Sequence, residues 1–167
     1  MVFGVNDVYD YATDIRNPRK VVDGLEGSIL HPSYHGLIIS SAICATLAIV
    51  GGSLMTTSIH NVLIISALLA LSWGYSAPPL RFKELPGLDS LSNGIIVDLC
   101  YMAGYTAGGG RLNSRIFTLK GHILGLCTAG VHALGAAVDV DADASVGQRT
   151  IATVFGVDSA LGFAALT

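Results

Sequence analysis

Two groups of acidic and amide side chains recur at helical spacing near opposite ends of the chain. Asn6, Asp10 and Asp14 lie four residues apart, and Asp139 and Asp143 repeat the interval. Residues four apart are neighbours on one face of an α-helix, so each group projects its oxygen atoms into one small volume. Crowded carboxylates repel one another, and a cation is their natural complement. The spacing indicates a Mg²⁺ site, since Mg²⁺ is held by a few carboxylates and keeps positions for phosphate oxygens.

Basic residues accompany the acidic groups. Arg81, Lys83 and Arg149 lie in charged segments between the apolar stretches, and together with the two acidic groups they have the composition of a diphosphate site. An isolated pair of Asp residues is more often a solvated helix end. The metal interpretation therefore depends on both groups facing one volume. Asp7 and Asp141 fall off the four-residue spacing, and we expect them to be solvated or to support the ligands from behind.

The elements that must position these residues are apolar helices. Only 13% of the 167 residues are charged, 51% are hydrophobic, and positions 36–80 contain no Asp, Glu, Lys or Arg. About 20 apolar residues are needed to cross a bilayer as a helix. The sequence predicts one domain, 1–167, an all-α, multi-pass transmembrane bundle. Its predicted spans are 36–55, 60–77, 91–110, 121–138 and 151–167.

Composition excludes several other classes. A net charge of -3 gives no basic surface for nucleic acid. Cys44, Cys100 and Cys127 are far apart in apolar runs, which matches neither a disulfide framework nor zinc-ligand spacing.

The positions of the acidic residues disfavour a transporter. A transporter would place its acidic residues near the bilayer midplane on broken helices, whereas these groups lie at the ends of apolar segments.

Counting the spans places all the candidate residues on one side of the membrane. The charged segments 6–26, 81–89 and 139–149 are separated by even numbers of predicted crossings. They also hold most of the Lys and Arg residues, so the positive-inside rule makes that side cytoplasmic. Asp98 falls within a span, where it is either a functional group or the mark of a shifted helix boundary. His132, in an apolar run, is expected to be a hydrogen-bonded packing residue.

Three segments resemble the motifs of the UbiA superfamily of intramembrane prenyltransferases. Residues 6–14 (NDVYDYATD) are similar to the first aspartate-rich motif of that family, and residues 139–153 (DVDADASVGQRTIAT) are similar to the second. Between them, residues 75–83 (YSAPPLRFK) resemble the family's basic loop. The three motifs stand in the family's order, and the resemblance extends over nearly the whole chain.

This resemblance implies a Mg²⁺-dependent transfer of a prenyl group from a prenyl diphosphate to a hydrophobic acceptor, with release of pyrophosphate. It implies that Asp10, Asp14, Asp139 and Asp143 hold the metal. Asn6 would complete the metal shell, while Arg81, Lys83 and Arg149 would bind the diphosphate. Tyr75 would orient phosphate or shield a carbocation, or serve as an interfacial anchor. The implied partners are the prenyl diphosphate, a lipophilic acceptor and membrane lipids. Relative to the family's scheme, the bundle is expected to be incomplete at both ends.

Finer similarities point to the lycopene elongase branch of the family. They include residues 14–20 (DIRNPRK), 88–91 (LDSL) and 132–136 (HALGA). In that branch the acceptor is a carotenoid. Chlorophyll-type, quinone-type and ether-lipid-type members share the core motifs, so an acceptor other than a carotenoid, such as another isoprenoid, stays open. Two further alternatives stay open from the sequence: a terpene cyclase of the same superfamily, which uses the same metal site without a separate acceptor, and a non-catalytic remnant.

Overall fold

Helices form all the regular structure that the computed structural model describes, which covers residues 2–21, 29–56, 58–113 and 115–167. No strand occurs in those ranges, which confirms the all-α prediction. In chain order the α-helices are α1 (Val2–Asp14), α2 (Pro18–Val21), α3 (His35–Met55), α4 (Ile59–Ser76), α5 (Leu88–Ala107), α6 (Arg115–Val138), α7 (Val140–Val146), α8 (Ile151–Phe155) and α9 (Val157–Leu166). Short 3₁₀ turns at Pro32–Tyr34 and Phe82–Glu84 precede α3 and α5.

Three of the described helices are long and apolar enough to cross a bilayer: α3 with its preceding turn (Pro32–Met55), α4 and α6. Helix α5 has 20 residues, about 30 Å, but it carries Asp89 and Asp98 and begins three residues before the predicted span 91–110. The predicted span 151–167 is divided at Gly156, whose φ of 90° separates α8 from α9. The chain is therefore a multi-pass membrane protein. Helix α5 is more polar than a typical membrane-spanning helix, and the last apolar segment is interrupted at Gly156.

Local sequence explains where several helices start and stop. The Ser58 hydroxyl accepts a hydrogen bond from the Asn61 amide and begins α4. Thr150 and Thr153 form a reciprocal capping box that begins α8. Gly147 ends α7 in the left-handed conformation, with φ 75°, which glycine adopts without a steric penalty.

The interior of the bundle is built from small and polar residues. Ala133 and Ser76 are fully buried, whereas Leu37 and Leu63 on the outside are 63% and 60% exposed. Large apolar residues on the outside suit a surface that faces lipid rather than water. The interior then depends on close backbone approach and on hydrogen bonds between helices.

Close approach is most evident between α5 and α6. A Cβ added at Gly125 would lie 2.8 Å from the carbonyl oxygen of Gly94, closer than real Cβ contacts allow. Hydrogen bonds hold the opposite side of α5. The Asn61 amide, 1% exposed, donates to the Ala103 carbonyl and the Thr106 hydroxyl at 2.9 Å each, and it accepts from Ser53 at 2.7 Å. One side chain of α4 thus fastens α3 and α5 at the end of the bundle away from the acidic residues.

Candidate functional site

A cavity of about 400 Å³ lies where α1, the end of α4 and the α6–α8 segment meet. It brings together the three charged segments that the span count placed on one side of the membrane. Seven of the nine predicted site residues line it: Asn6, Asp10, Asp14, Tyr75, Lys83, Asp139 and Asp143.

The first acidic group meets a buried lysine. Lys83 is 6% exposed and Asp10 is 8% exposed, and the Lys83 ammonium forms an ion pair with Asp10 Oδ1. The same ammonium donates to Asn6 Oδ1 at 3.1 Å, and the Ser76 hydroxyl donates to that oxygen at 2.9 Å. Burial lowers the pKa of Lys83, and the neighbouring Asp10 carboxylate opposes that shift. The 3₁₀ turn after α4 therefore supplies a positive charge directly to the predicted ligands on α1.

A second lysine, Lys20, forms an ion pair with Asp14. Lys20 Nζ lies 2.9 Å from Asp14 Oδ1, and both side chains line the cavity. Burial raises the pKa of Asp14, while the hydrogen bond and charge of Lys20 oppose the rise. The sequence left Lys20 open to two interpretations, diphosphate binding or an interfacial role that sets the membrane topology. The structure shows that Lys20 and Asn17, three residues before it, both line the cavity.

The second acidic group enters the cavity from the α6–α8 turn. Asp139 is the residue at the start of α7, and Asp143, 8% exposed, lies one turn later. The Gln148 amide donates to the Asp143 carbonyl at 2.9 Å as the chain leaves α7. Gln148 and Thr150 also line the cavity, although their residue types gave no separate chemical signal in the sequence.

The acidic side chains surround the cavity without forming a closed ligand set. Across the described parts of the chain, no three His, Cys, Asp or Glu side chains are grouped closely enough to hold a metal ion. The predicted ligands on the cavity wall nonetheless carry carboxylate and amide oxygens, the atoms that Mg²⁺ prefers. In chemical type the predicted ligands fit Mg²⁺, and in this conformation lysines neutralise two of them.

The two arginines predicted to bind the diphosphate, Arg81 and Arg149, do not line the cavity. Arg81 adopts a left-handed conformation with φ 42°. Its guanidinium pairs with Glu84 and lies 3.5 Å from Asp10 Oδ1. Arg149 is exposed beyond the Gly147 turn, and it is not brought to the cavity wall in this structure.

A polar cluster forms the deeper wall. Tyr75 and His132 line the cavity with their rings edge to face at 6.5 Å between centroids. Asn93 of α5 hydrogen-bonds to His132 Nδ1 at 3.0 Å and also to the Tyr75 side chain. His132 is thus hydrogen-bonded, as expected, but it also faces the cavity. Sequence reasoning did not identify Asn93.

Asp98 lies elsewhere. Its Oδ2 accepts a hydrogen bond from His122 Nδ1 at 2.7 Å in a groove between α5 and α6. Neither side chain lines the cavity described above. Asp98 is therefore not part of the candidate site.

Comparison with known proteins relates the whole sequence to one family. The profile of the UbiA prenyltransferase family matches residues 1–167. A C(50) beta-cyclic carotenoids biosynthesis protein, LbtBC, from Dietzia sp. is 34% identical over 98% of this chain and 37% of its own length. Lycopene elongase/hydratase from Corynebacterium glutamicum is 35% identical over 96% of this chain and 55% of its own length. The corresponding protein from Halobacterium salinarum is 34% identical over 98% and 56%.

Solved structures show the same fold. A UbiA homologue from Archaeoglobus fulgidus, determined bound to DMAPP and Mg²⁺, aligns with a TM-score of 0.75 at 22% identity. The alignment covers 99% of this chain and 56% of that one. The chain thus spans about half the length, or less, of the relatives and structures that it matches.

Proposed function

The chain belongs to the UbiA prenyltransferase family, and from this we propose that its site transfers a prenyl group from a prenyl diphosphate to a hydrophobic acceptor, releasing pyrophosphate. The observation that carries the proposal is the single cavity lined by both acidic segments and by two lysines. Carboxylates and ammonium groups in one cavity are what a metal-bound diphosphate requires, because the anion needs positive charge from both the metal and the protein.

We propose that Asn6, Asp10, Asp14, Asp139 and Asp143 hold Mg²⁺. All five line the cavity, and the Archaeoglobus fulgidus homologue has been solved with Mg²⁺ together with DMAPP and with GPP, which supports the assignment. When bound, Mg²⁺ neutralises charge on the diphosphate oxygens. Lys83 and Lys20 line the same cavity, where their ammonium groups would bind the diphosphate beside the metal. Arg81 adds charge from behind Asp10, and Arg149 reaches the diphosphate only if its segment moves.

The reaction proceeds by loss of diphosphate. The C–O bond of the prenyl diphosphate breaks, its electron pair leaves with the diphosphate, and an allylic carbocation remains for the acceptor's π electrons to attack. The new C–C bond leaves a cation on the acceptor, which loses a proton to give the neutral product. Positive groups fixed where negative charge develops contribute most to such a step. Lys83 is such a group, because burial and its contacts with Asn6 and Asp10 hold it in place.

The deeper wall suits the carbocation and its acceptor. His132 precedes Asp139 by seven residues on α6, which places it about 10 Å further into the bundle. The lining there includes Val131, Gly135 and Ala136. Tyr75 presents its ring beside His132 at this depth. The Tyr75 ring and the aliphatic residues around this polar cluster would limit the access of water, which would otherwise capture the carbocation and give the prenyl alcohol.

The acceptor we propose is a carotenoid. The supporting observation is that the matched relatives are lycopene elongase/hydratases and a C(50) carotenoid biosynthesis protein. A long apolar acceptor reaches such a site from the bilayer, so membrane lipids are the surroundings in which it is delivered. We place the cavity on the cytoplasmic side, on the strength of the Lys and Arg residues in its loops.

The test is Mg²⁺-dependent release of pyrophosphate from a panel of prenyl diphosphates by the purified chain in detergent or lipid nanodiscs. Asp139→Asn and Asp10→Asn should each abolish release. Asp141→Asn is the matched control, since Asp141 is exposed beside the second acidic group and does not line the cavity. It should retain the activity of the unmodified chain.

Product analysis separates the alternatives. A prenylated carotenoid supports transfer, whereas a cyclic terpene formed without an acceptor identifies a cyclase. If the unmodified chain releases no pyrophosphate from any donor, the chain has no autonomous activity, and the proposal is refuted for this chain.

A further inference from the structure

Asp89 is a buried carboxyl group that the proposed reaction does not use. It lies in the first turn of α5, is fully buried, and is not part of the cavity wall. Burying a carboxyl group is costly unless its oxygens are hydrogen-bonded. Among the described residues Oδ1 accepts no hydrogen bond, while Oδ2 accepts one from the Ile151 amide at 2.9 Å. The structure therefore places a costly group where it makes one specific contact.

That contact holds the segment that follows the second acidic group. Ile151 is the first residue of α8, whose amide has no partner within its own helix. Its neighbour Thr150 caps α8 and lines the cavity, as does Gln148, and the Gln148 amide donates to the Asp143 carbonyl. Asp89 is thus separated from the cavity wall by one residue of this segment.

Backbone hydrogen bonds also connect Asp89 to the basic turn, the 3₁₀ turn Phe82–Glu84 that carries Lys83. Its amide donates to the Leu85 carbonyl at 2.9 Å, and the Leu85 amide donates to the Phe82 carbonyl at 3.0 Å. Phe82 adjoins Lys83, the lysine that pairs with Asp10. Asp89 therefore lies between the basic turn and the segment that follows the second acidic group.

We propose that Asp89 is a positioning residue for the diphosphate site. By accepting the Ile151 amide, it fixes the 148–151 segment to the start of α5 and so sets the distance between Lys83 and the second acidic group. This role rests on the proposed function, because it matters only if the two groups act on one diphosphate. It requires a hydrogen-bond acceptor at position 89.

Three variants separate this role from general packing. Asp89→Ala removes the acceptor, and Asp89→Asn keeps an amide oxygen that the Ile151 amide can use. Ser90→Ala is the matched control, because Ser90 is equally buried on the same helix and its hydroxyl has no hydrogen-bond partner among the described residues.

Amide hydrogen exchange of residues 148–154 tests the contact without reference to activity. Asp89→Ala should raise exchange there by about tenfold or more, as expected when a buried hydrogen bond is lost. Asp89→Asn and Ser90→Ala should exchange like the unmodified chain. Equal exchange in Asp89→Ala and Ser90→Ala would overturn the proposal.

Binding of inorganic pyrophosphate with Mg²⁺, measured by calorimetry, tests the positioning. Asp89→Ala should weaken binding by about tenfold, with rescue in Asp89→Asn to within about threefold. Unchanged binding in Asp89→Ala, or equal weakening in both variants, would overturn the role of Asp89. If Asp89→Ala cannot be recovered folded, Asp89→Asn decides alone, since the proposal requires it to bind like the unmodified chain. Failure of the unmodified chain to bind pyrophosphate would refute the proposed function itself, and the exchange experiment would still report on the contact.

Discussion

Replacing Lys83 with Met tests whether this lysine is the internal counter-ion of the acidic site. Met retains most of the apolar stem and removes the ammonium, so the change isolates charge and hydrogen bonding. Lys83 is 6% exposed, and its ammonium contacts both Asp10 and Asn6. After the substitution, Asp10 is left as a buried carboxylate that has lost its nearest cation.

The expected cost follows from these contacts. Removing one partner of a buried ion pair costs about 3–5 kcal/mol, because the other charge stays buried. Arg81 remains 3.5 Å from Asp10 and compensates in part, so we expect a loss near 3 kcal/mol, the lower end of that range. For a protein of this size about 1 kcal/mol corresponds to about 2–4 °C, so the unfolding midpoint should fall by roughly 6–12 °C.

Thermal unfolding in detergent, without divalent cations, measures this effect, and Lys20→Met is the matched control. Lys20 and Asp14 form the other lysine–carboxylate pair of the cavity, but Lys20 is 23% exposed. Its loss should cost about 1 kcal/mol or less, as expected for a more solvated pair. A midpoint for Lys83→Met within about 2 °C of the unmodified chain, or a larger loss in Lys20→Met, would refute the counter-ion role.

Three further predictions concern the same structure. Burial raises the pKa of Asp14 above its ordinary value of 3.8. The stability that Asp14 contributes is therefore fully present below pH 3.8 and is lost as the pH rises through the folded-state pKa. Asp14→Asn should flatten the dependence of the unfolding midpoint on pH above about 4. Asn61→Ala removes three buried hydrogen bonds between helices and should cost about 1–3 kcal/mol, measured by denaturant unfolding in detergent, and an unchanged unfolding midpoint would contradict that network. Gly125→Val should abolish folding because its side chain would meet the Gly94 backbone, whereas Gly104→Val, where a Cβ meets nothing within 4 Å, should be tolerated; equal yields of folded protein from both variants would contradict the packing.

Local patterns in the sequence were sufficient for three membrane-spanning helices and for the grouping of the acidic residues. A long stretch without charge predicts membrane helices because the bilayer leaves few alternatives. The spacing of Asn6, Asp10 and Asp14 predicts one helical face, and all three line the cavity. The even number of crossings predicts that the second acidic group joins them, and Asp139 and Asp143 do.

The contacts that sequence reasoning could not supply join residues far apart in the chain. The hydrogen bond from Ile151 to Asp89 spans 62 positions, and the one from Lys83 to Asn6 spans 77. No local periodicity encodes such pairs, because they depend on how helices are placed against one another. Arg149 is not brought to the cavity wall, because the left-handed turn at Gly147 separates it from α7 and leaves it exposed.

Placing small and polar residues inside and large apolar residues outside affects how the protein tolerates variation. At outer positions such as Leu37 and Leu63, one bulky aliphatic side chain can replace another at little cost, whereas a charge there opposes insertion into the bilayer. At Ala133 and Ala160, both fully buried, a larger side chain must displace its neighbours, which typically costs about 1–3 kcal/mol. A saturation mutagenesis map of this protein should therefore show its strictest size limits at its smallest residues, and its freest hydrophobic exchange at its largest ones.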